Sequence, residues 1–369
     1  HIWERVEEPL KYTEQQAAIG SGPYVLEKLD LNAGLLAFAA NPDYFRGKPA
    51  VDRLEFRLYK NVDSMTMALS KGEVDVTWDY SASIPYTSVP MLLKAEGVKF
   101  ANEVDMAVPV ALGFNLAKYP MSERRFREAV SYAVNYAQIG EAIFAGYGKP
   151  PSAAFVPPTM PLHDSSHRAL RFDAKKAAEL LDSIGMKDVD GDGLREAPQG
   201  QKIKITILSR TDSAPILRSA ELLQGYLKAI GVDSVVRQLD SATWVALKDK
   251  KEYDLVLFRT TPWGMLMHAG YGSGYFDSRR SGAGVLHNLD AASYLELCDE
   301  ILRTTDEARY RELVKKLQGF YAEELPAIAL SWAENVYPYR AEWEGWQMNL
   351  ISGGLVNRAS FFSLRPSGK

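Results

Sequence analysis

The residues with the most chemistry to offer lie in one run. Arg259, Trp263, His268 and Tyr271 are spread through a stretch rich in glycine and aromatic side chains that ends at Phe276, with His287 just beyond it. The run follows Tyr253 to Phe258, an apolar segment that reads as a buried strand, and open α/β sheets bind their ligands where strands end. An indole and a phenol stack on a solute, a guanidinium pairs with a carboxylate, and an imidazole donates a proton or ligates a metal. Glycines let the main chain approach closely. Arg259, Trp263, His268 and Tyr271 are therefore the expected ligand-binding residues. The plainer alternative is an aromatic packing loop, and the glycines alone, spaced G-x-G-x-G, are no dinucleotide fingerprint.

Two other clusters suggest metal. His163 and His167 have the i, i+4 spacing that puts two imidazoles on one helix face, but Pro157, Pro158 and Pro161 upstream favour a loop. Asp188, Asp190 and Asp192 alternate with Gly191 and Gly193 as in a calcium loop, with Glu196 at the ninth position. Gln199 stands at the twelfth, where a full loop needs a bidentate carboxylate. A polar turn feeding the next strand is the plainer role. No zinc helix, nucleophile elbow or phosphate loop occurs, so the common enzyme signatures are missing and no catalytic residue is assigned. A lone cysteine, Cys298, excludes an intrachain disulfide and any multi-cysteine centre.

Composition narrows the class further. The 369 residues carry 43 basic and 47 acidic side chains, a net charge of −4, with 46% hydrophobic residues. This is globular composition with a nearly balanced surface. Basic groups are scattered among acids, which argues against a nucleic-acid partner. No apolar run reaches the roughly 18 residues of a membrane span. The chain opens on His1 with neither an initiator methionine nor a basic and apolar leader, so a targeting segment is expected to have been removed or to lie outside it.

Positioning these residues falls to an alternating series of elements. Tyr24 to Leu31 and Leu35 to Ala40 read as strands joined by a turn at Asn32-Ala33-Gly34, with a third strand at Leu54 to Tyr59. A helix capped by Asp63 or Ser64 and ended by Gly72 leads to a fourth strand at Val74 to Trp78, which makes a β-α-β unit. Phe126, Ala129, Val130, Ala133 and Val134 form the apolar stripe of a helix. After a proline-rich loop, Asp173 caps another helix. From Lys202 to Phe258 the pattern is β-α-β-α-β, which right-handed crossovers turn into a parallel sheet covered on both faces. Helices follow at Ala291 to Arg303 and Glu307 to Glu324, and then a strand-like aromatic tail from Ala327 to Tyr339.

Several ordered motifs point to a family. Ile19-Gly20-Ser21-Gly22-Pro23-Tyr24, Asn41-Pro42-Asp43-Tyr44-Phe45-Arg46-Gly47-Lys48-Pro49 and Ala68-Leu69-Ser70-Lys71-Gly72-Glu73-Val74-Asp75 resemble successive motifs of the family 5 extracellular solute-binding proteins. These are the receptors of peptide and nickel ABC importers. Gly113-Phe114-Asn115-Leu116, the helix from Arg124 to Asn135, and Asp190-Gly191-Asp192-Gly193 agree in order.

The resemblance implies an α/β fold like the type II periplasmic binding proteins, with two α/β lobes and a ligand cleft. The first lobe would take residues 1–104, the second 105–330, and 331–369 would return to the first. The N-terminal part of the family fold would be missing. It further implies a monomeric receptor without enzymatic activity or cofactor, periplasmic or anchored outside the cytoplasmic membrane. Such a receptor takes a short peptide or peptide-like solute and delivers it to a membrane permease.

One departure bears on the solute. Peptide-binding members carry an aspartate after the tryptophan-bearing strand, to pair with the peptide's ammonium. Here Trp263-Gly264-Met265-Leu266-Met267-His268 has no carboxylate before Asp277. Burying an unpaired ammonium costs several kcal/mol. The nickel branch is similar in its Trp-Gly and nearby histidine, so a metal chelate is the alternative; this likeness adds His287 to the expected ligand-binding residues, with His268 or His287 as metal candidates. A hydrolase or transferase on the same architecture, and a receptor that signals without transport, are the readings from other classes.

Overall fold

The computed structural model describes residues 4, 6, 7, 20–78, 84–260, 276, 277, 279, 286, 287, 289–350 and 354–368. It divides into two compact units, one of His1–Asn102 with Val336–Lys369 and one of Glu103–Asn335. Among the described residues no helix is long and apolar enough to cross a membrane.

In the first unit, β1 (Tyr24–Asp30), β2 (Leu35–Ala40) and β3 (Arg53–Arg57) form an antiparallel sheet in that order. Its first turn is closed by Asp30, whose Oδ1 accepts the Ala33 N–H at 2.9 Å, while Gly34 takes a φ of +62°. Strict alternation in β3 turns Leu54 and Phe56 inward, and the Phe56 ring meets Phe38 edge-on at 5.9 Å. Helix α1 (Val62–Ser70) starts earlier than its sequence suggests, because Asn61 is the cap and accepts the Ser64 N–H at 2.8 Å. Such a cap contributes about 1 kcal/mol.

The strand expected at Val74 to Trp78 does not form. The segment starts as a bend and joins β10 (Ala327–Arg340) through a single bridge, Val76 to Tyr339, with the Arg340 N–H reaching the Asp75 carbonyl at 2.7 Å, so no ladder propagates. The expected β-α-β unit is thus a strand, a helix and a return held by one bridge. A short helix α2 (Val89–Leu92) and the strand β4 (Val98–Val104) lead out of this unit.

The second unit is built on β5 (Val110–Phe114), α3 (Arg124–Ala133), α4 (Tyr136–Phe144), the short β6 (Gly148–Lys149), α5 (Ala174–Ser183), β7 (Lys204–Arg210), α6 (Ala214–Ala229), β8 (Asp233–Leu239), α7 (Ser241–Asp249), β9 (Leu255–Phe258), α8 (Ala292–Arg303), α9 (Glu307–Glu324) and the first part of β10 (Ala327–Arg340). Within this unit the strands follow the order β10-β5-β9-β7-β8, with β6 paired to β10 beside them. As the crossovers require, β7 runs parallel to both β8 and β9. β5 is antiparallel to β9 and to β10, so the whole sheet is mixed.

Every residue of β5 and β9 is buried, which is why both read as continuous apolar runs rather than alternating ones. Gly113 is needed in β5 because a Cβ there would overlap the Leu286 carbonyl oxygen. The stripe of α3 is fully in the core, with Phe126, Ala129 and Val130 at 0% exposure. Beside it Arg127, 2% exposed, gives its fork to the carbonyls of Met121, Ser122 and Glu324 and to the Glu324 carboxylate at 3.0 Å. A buried guanidinium survives only when its donors are satisfied in this way.

Beyond Asn335, β10 continues into the first unit, where Ala341 N–H reaches the Gly97 carbonyl at 2.7 Å. That unit is completed by β11 (Trp343–Glu344) paired with β12 (Arg365–Pro366), and by α10 (Arg358–Ser363), which Asn357 caps.

Candidate functional site

The carboxyl end of β9 is where the sequence places binding chemistry, and the fold fixes it from both sides. At the start of the strand Asn115, 1% exposed, donates to the carbonyls of Lys251 and Tyr253 at 3.1 and 2.8 Å. At its exit Thr260 accepts the Val108 N–H on its hydroxyl at 2.7 Å and returns its own N–H to the Val108 carbonyl at 3.0 Å. With Thr260 pinned inward at 0% exposure, the Arg259 side chain is left exposed.

Behind this exit lies Asp105, 8% exposed. Its carboxylate accepts the Ala107 N–H at 3.0 Å and a bond from the Asn335 side chain. Its main chain is held as well, by the Ala333 carbonyl at 2.9 Å and the Thr159 hydroxyl at 3.1 Å. Burial raises the Asp105 carboxyl above its ordinary 3.8, and the Ala107 and Asn335 bonds and the Arg259 charge oppose that rise. An exposed cation thus acts electrostatically on a buried carboxyl whose orientation is fixed by the Ala107 and Asn335 bonds. Asp105 and Asn335 were not singled out from the sequence. The available signal was an acid set directly against the apolar run Met106-Ala107-Val108-Pro109-Val110.

Of the expected binding residues, Trp263, His268 and Tyr271 lie outside the described residues. His287 is 2% exposed, with its ring 5.9 Å from both Tyr294 and Tyr321, and its Nδ1 accepts the Leu289 N–H at 3.1 Å. Burial pulls its pKa down from 6.5 to about 4, against a smaller opposing effect of the Phe276 carbonyl and Asp277. Its surroundings are those of a neutral core imidazole. Asp277, the first carboxylate after the tryptophan loop, is at 0% exposure and held by the Arg279 guanidinium at 2.9 and 2.7 Å. Of these residues, Arg259 is exposed at the strand exit, and His287 and Asp277 are set into the core.

The two loop histidines share no helix. His163 Nδ1 lies 2.9 Å from the Val156 carbonyl, and His167 Nε2 lies 3.6 Å from Asp164. In the first unit a separate cavity of about 990 Å³ opens beside β3, with Phe56, Tyr59, Trp78, Trp343, Trp346 and Phe361 among its walls. Among the described residues β3 is an edge of its sheet.

The family of this architecture follows from comparison. Residues 4–282 match the bacterial extracellular solute-binding proteins, family 5 Middle. The chain belongs to that family. It is 24% identical to the nickel-binding periplasmic protein of Escherichia coli K12, over 82% of this chain and 58% of that protein. It is also 24% identical to di/tripeptide-binding protein 2 of Pseudomonas aeruginosa, over 90% of this chain and 60% of that protein. The chain thus spans about three fifths of the length of these relatives.

Among solved structures, a periplasmic oligopeptide-binding protein of Thermotoga maritima superposes with a TM-score of 0.79 at 23% identity, covering 100% of this chain and 73% of that one. NikA of Brucella suis, solved with Fe(III)-EDTA, gives 0.78 at 20%, covering 94% and 68%. The fold is that of the type II periplasmic binding proteins of family 5, an α/β class as the sequence suggests. The family is one of solute-binding receptors.

Proposed function

We propose that this chain is the greater part of the solute receptor of an ABC importer, acting outside the cytoplasmic membrane and passing a short peptide or peptide-like solute to a permease. Family membership over residues 4–282 carries the reading. The exit of β9 gives it a chemical form. Arg259 pairs with a carboxylate of the solute, Asp105 and Asn335 hold that end of the strand in a polar setting, and Trp263, His268 and Tyr271 stack on the solute or donate to it. No bond is made or broken, so none of these residues is assigned catalysis.

A metal chelate is the second reading. It is favoured by the likeness to the nickel-binding protein and by a tryptophan loop without a carboxylate. In this reading His268 supplies the imidazole, since His287 is committed to the core.

Thermal unfolding of the purified chain separates the two when run with di- to pentapeptides, and with nickel in the presence and absence of histidine or small organic acids. A ligand at about 100 times its Kd adds roughly 2.7 kcal/mol of stability. Peptide-dependent stabilisation that Arg259→Ala removes supports the first reading. Stabilisation by nickel chelates alone, lost in His268→Ala, replaces it with the second.

A further inference from the structure

The aspartate-rich turn between α5 and β7 takes a form that its sequence does not foretell. Its twelfth position, Gln199, is exposed, and the carboxylate that turns inward is Glu196 at the ninth, 2% exposed. Asp188, Asp190 and Glu196 each present an oxygen, and these oxygens lie within 4.8 Å of one another. Glu196 Oε2 accepts the Val189 N–H at 3.0 Å, whereas Oε1 is buried and has no hydrogen bond. A buried carboxylate oxygen left without a donor is costly.

The cation nearest to it is the Lys202 ammonium, 3.7 Å away and beyond hydrogen-bond reach. That ammonium is drawn instead to Asp190 at 2.8 Å and to Asp192 at still closer range. Lys202 is 58% exposed, on a flexible stem that can leave without disturbing the core.

We propose that the Asp188–Glu196 turn is a divalent-cation site of calcium chemistry, with Asp188, Asp190 and Glu196 as ligands and Lys202 as a built-in competitor for the same carboxylates. The donor set decides the metal. Oxygens alone, three of them from carboxylates, suit Ca²⁺, whose coordination is flexible and draws on carboxylate, carbonyl and water oxygen. Mg²⁺ demands a tighter octahedron, and zinc prefers nitrogen and sulfur. The turn holds four acids, Asp188, Asp190, Asp192 and Glu196, and of the nearby cations Arg195 is paired with Asp182 instead, which leaves Lys202 as the cation bound to the cluster. A dication entering the cluster would satisfy Glu196 Oε1 as the lysine does not. Because Glu196 bridges the main chain of both Lys187 and Lys202, the ion would fasten the end of α5 to the approach to β7.

The test is calorimetric titration of the EGTA-treated chain with CaCl2, and separately with MgCl2. The wild type is expected to bind one Ca²⁺ in the roughly 10⁻⁴ to 10⁻³ M range seen for extracellular modules. Lys202→Met is expected to tighten binding by about tenfold or more as the competitor is removed. Adding Glu196→Gln should abolish that gain. Should this buried substitution fail to fold, Asp190→Asn, at a half-exposed position, serves in its place. The proposal is overturned if Lys202→Met binds Ca²⁺ no better than the wild type, if the acid variants bind equally well, or if Mg²⁺ produces the same response as Ca²⁺.

Discussion

The two units bury their sheets to very different degrees. In the second, β5 and β9 are covered on both faces along their full length. In the first, β1 exposes four of its seven residues, with Val25 at 50% and Leu29 at 52%. The cavity of about 990 Å³ also lies in the first unit, beside β3, which among the described residues is an edge of its sheet. Stability therefore concentrates where packing is complete on both sides, and the three-stranded sheet is the thinner structure. Amide hydrogen exchange should follow the same division, with β1 to β3 exchanging well before β5 and β9.

Substitutions sharpen this contrast. Gly113→Ala has the largest expected effect, since the added methyl meets a backbone carbonyl oxygen that no rotamer change can move. Its cost should exceed the usual 1 to 3 kcal/mol of overpacking, and urea unfolding or the yield of folded protein will show it. Arg127→Ala comes next. It strips the Glu324 carboxylate and three carbonyls of a shared donor and leaves a void in the core, for a loss of about 3 kcal/mol by denaturant titration.

The third effect depends on pH. His287 binds its proton less readily in the folded protein, at about 4, than in the unfolded chain, near 6.5. Its contribution is complete above pH 6.5 and is lost as pH falls towards 4, by up to about 3 kcal/mol. His287→Asn keeps an acceptor for the Leu289 N–H and should flatten that stretch of the stability profile. The smallest change belongs to the open sheet. Leu29→Ser should shift stability by no more than about 0.5 kcal/mol, because its side chain already stands half in solvent. A large loss there would mean that the outer face of β1 is covered in solution, and the contrast between the units would fail.

Most elements could be read from local pattern because their causes are local. The apolar stripe of α3, the Asp173 cap of α5 and the β-α-β-α-β alternation that ends at β9 are set by spacing and capping chemistry within each segment. Val74 to Trp78 misled because apolar alternation marks a segment able to pair, whereas a ladder also requires a partner along its length. The family was legible from motif order, and the fold came with it. Site residues were harder to find. Asp105 and Arg259 are 154 positions apart in sequence, and the antiparallel pairing of β5 with β9, extended by the ties between Thr260 and Val108, brings their segments together. His287 was a candidate through the likeness to the nickel branch, and a likeness in sequence does not tell an imidazole in a pocket from one among tyrosine rings.

Cys298 has a practical consequence. It is at 0% exposure, and burial, with a smaller push from Asp277, raises its thiol to about 12. The reactive thiolate is therefore scarce at neutral pH, and the sulfur is out of reach of bulky electrophiles. Being the single cysteine of the chain, it leaves the protein silent to maleimide dyes as it stands. A new cysteine placed beside Arg259, or on the exposed side of β1, would carry a fluorophore at one defined position, with no native residue to remove first.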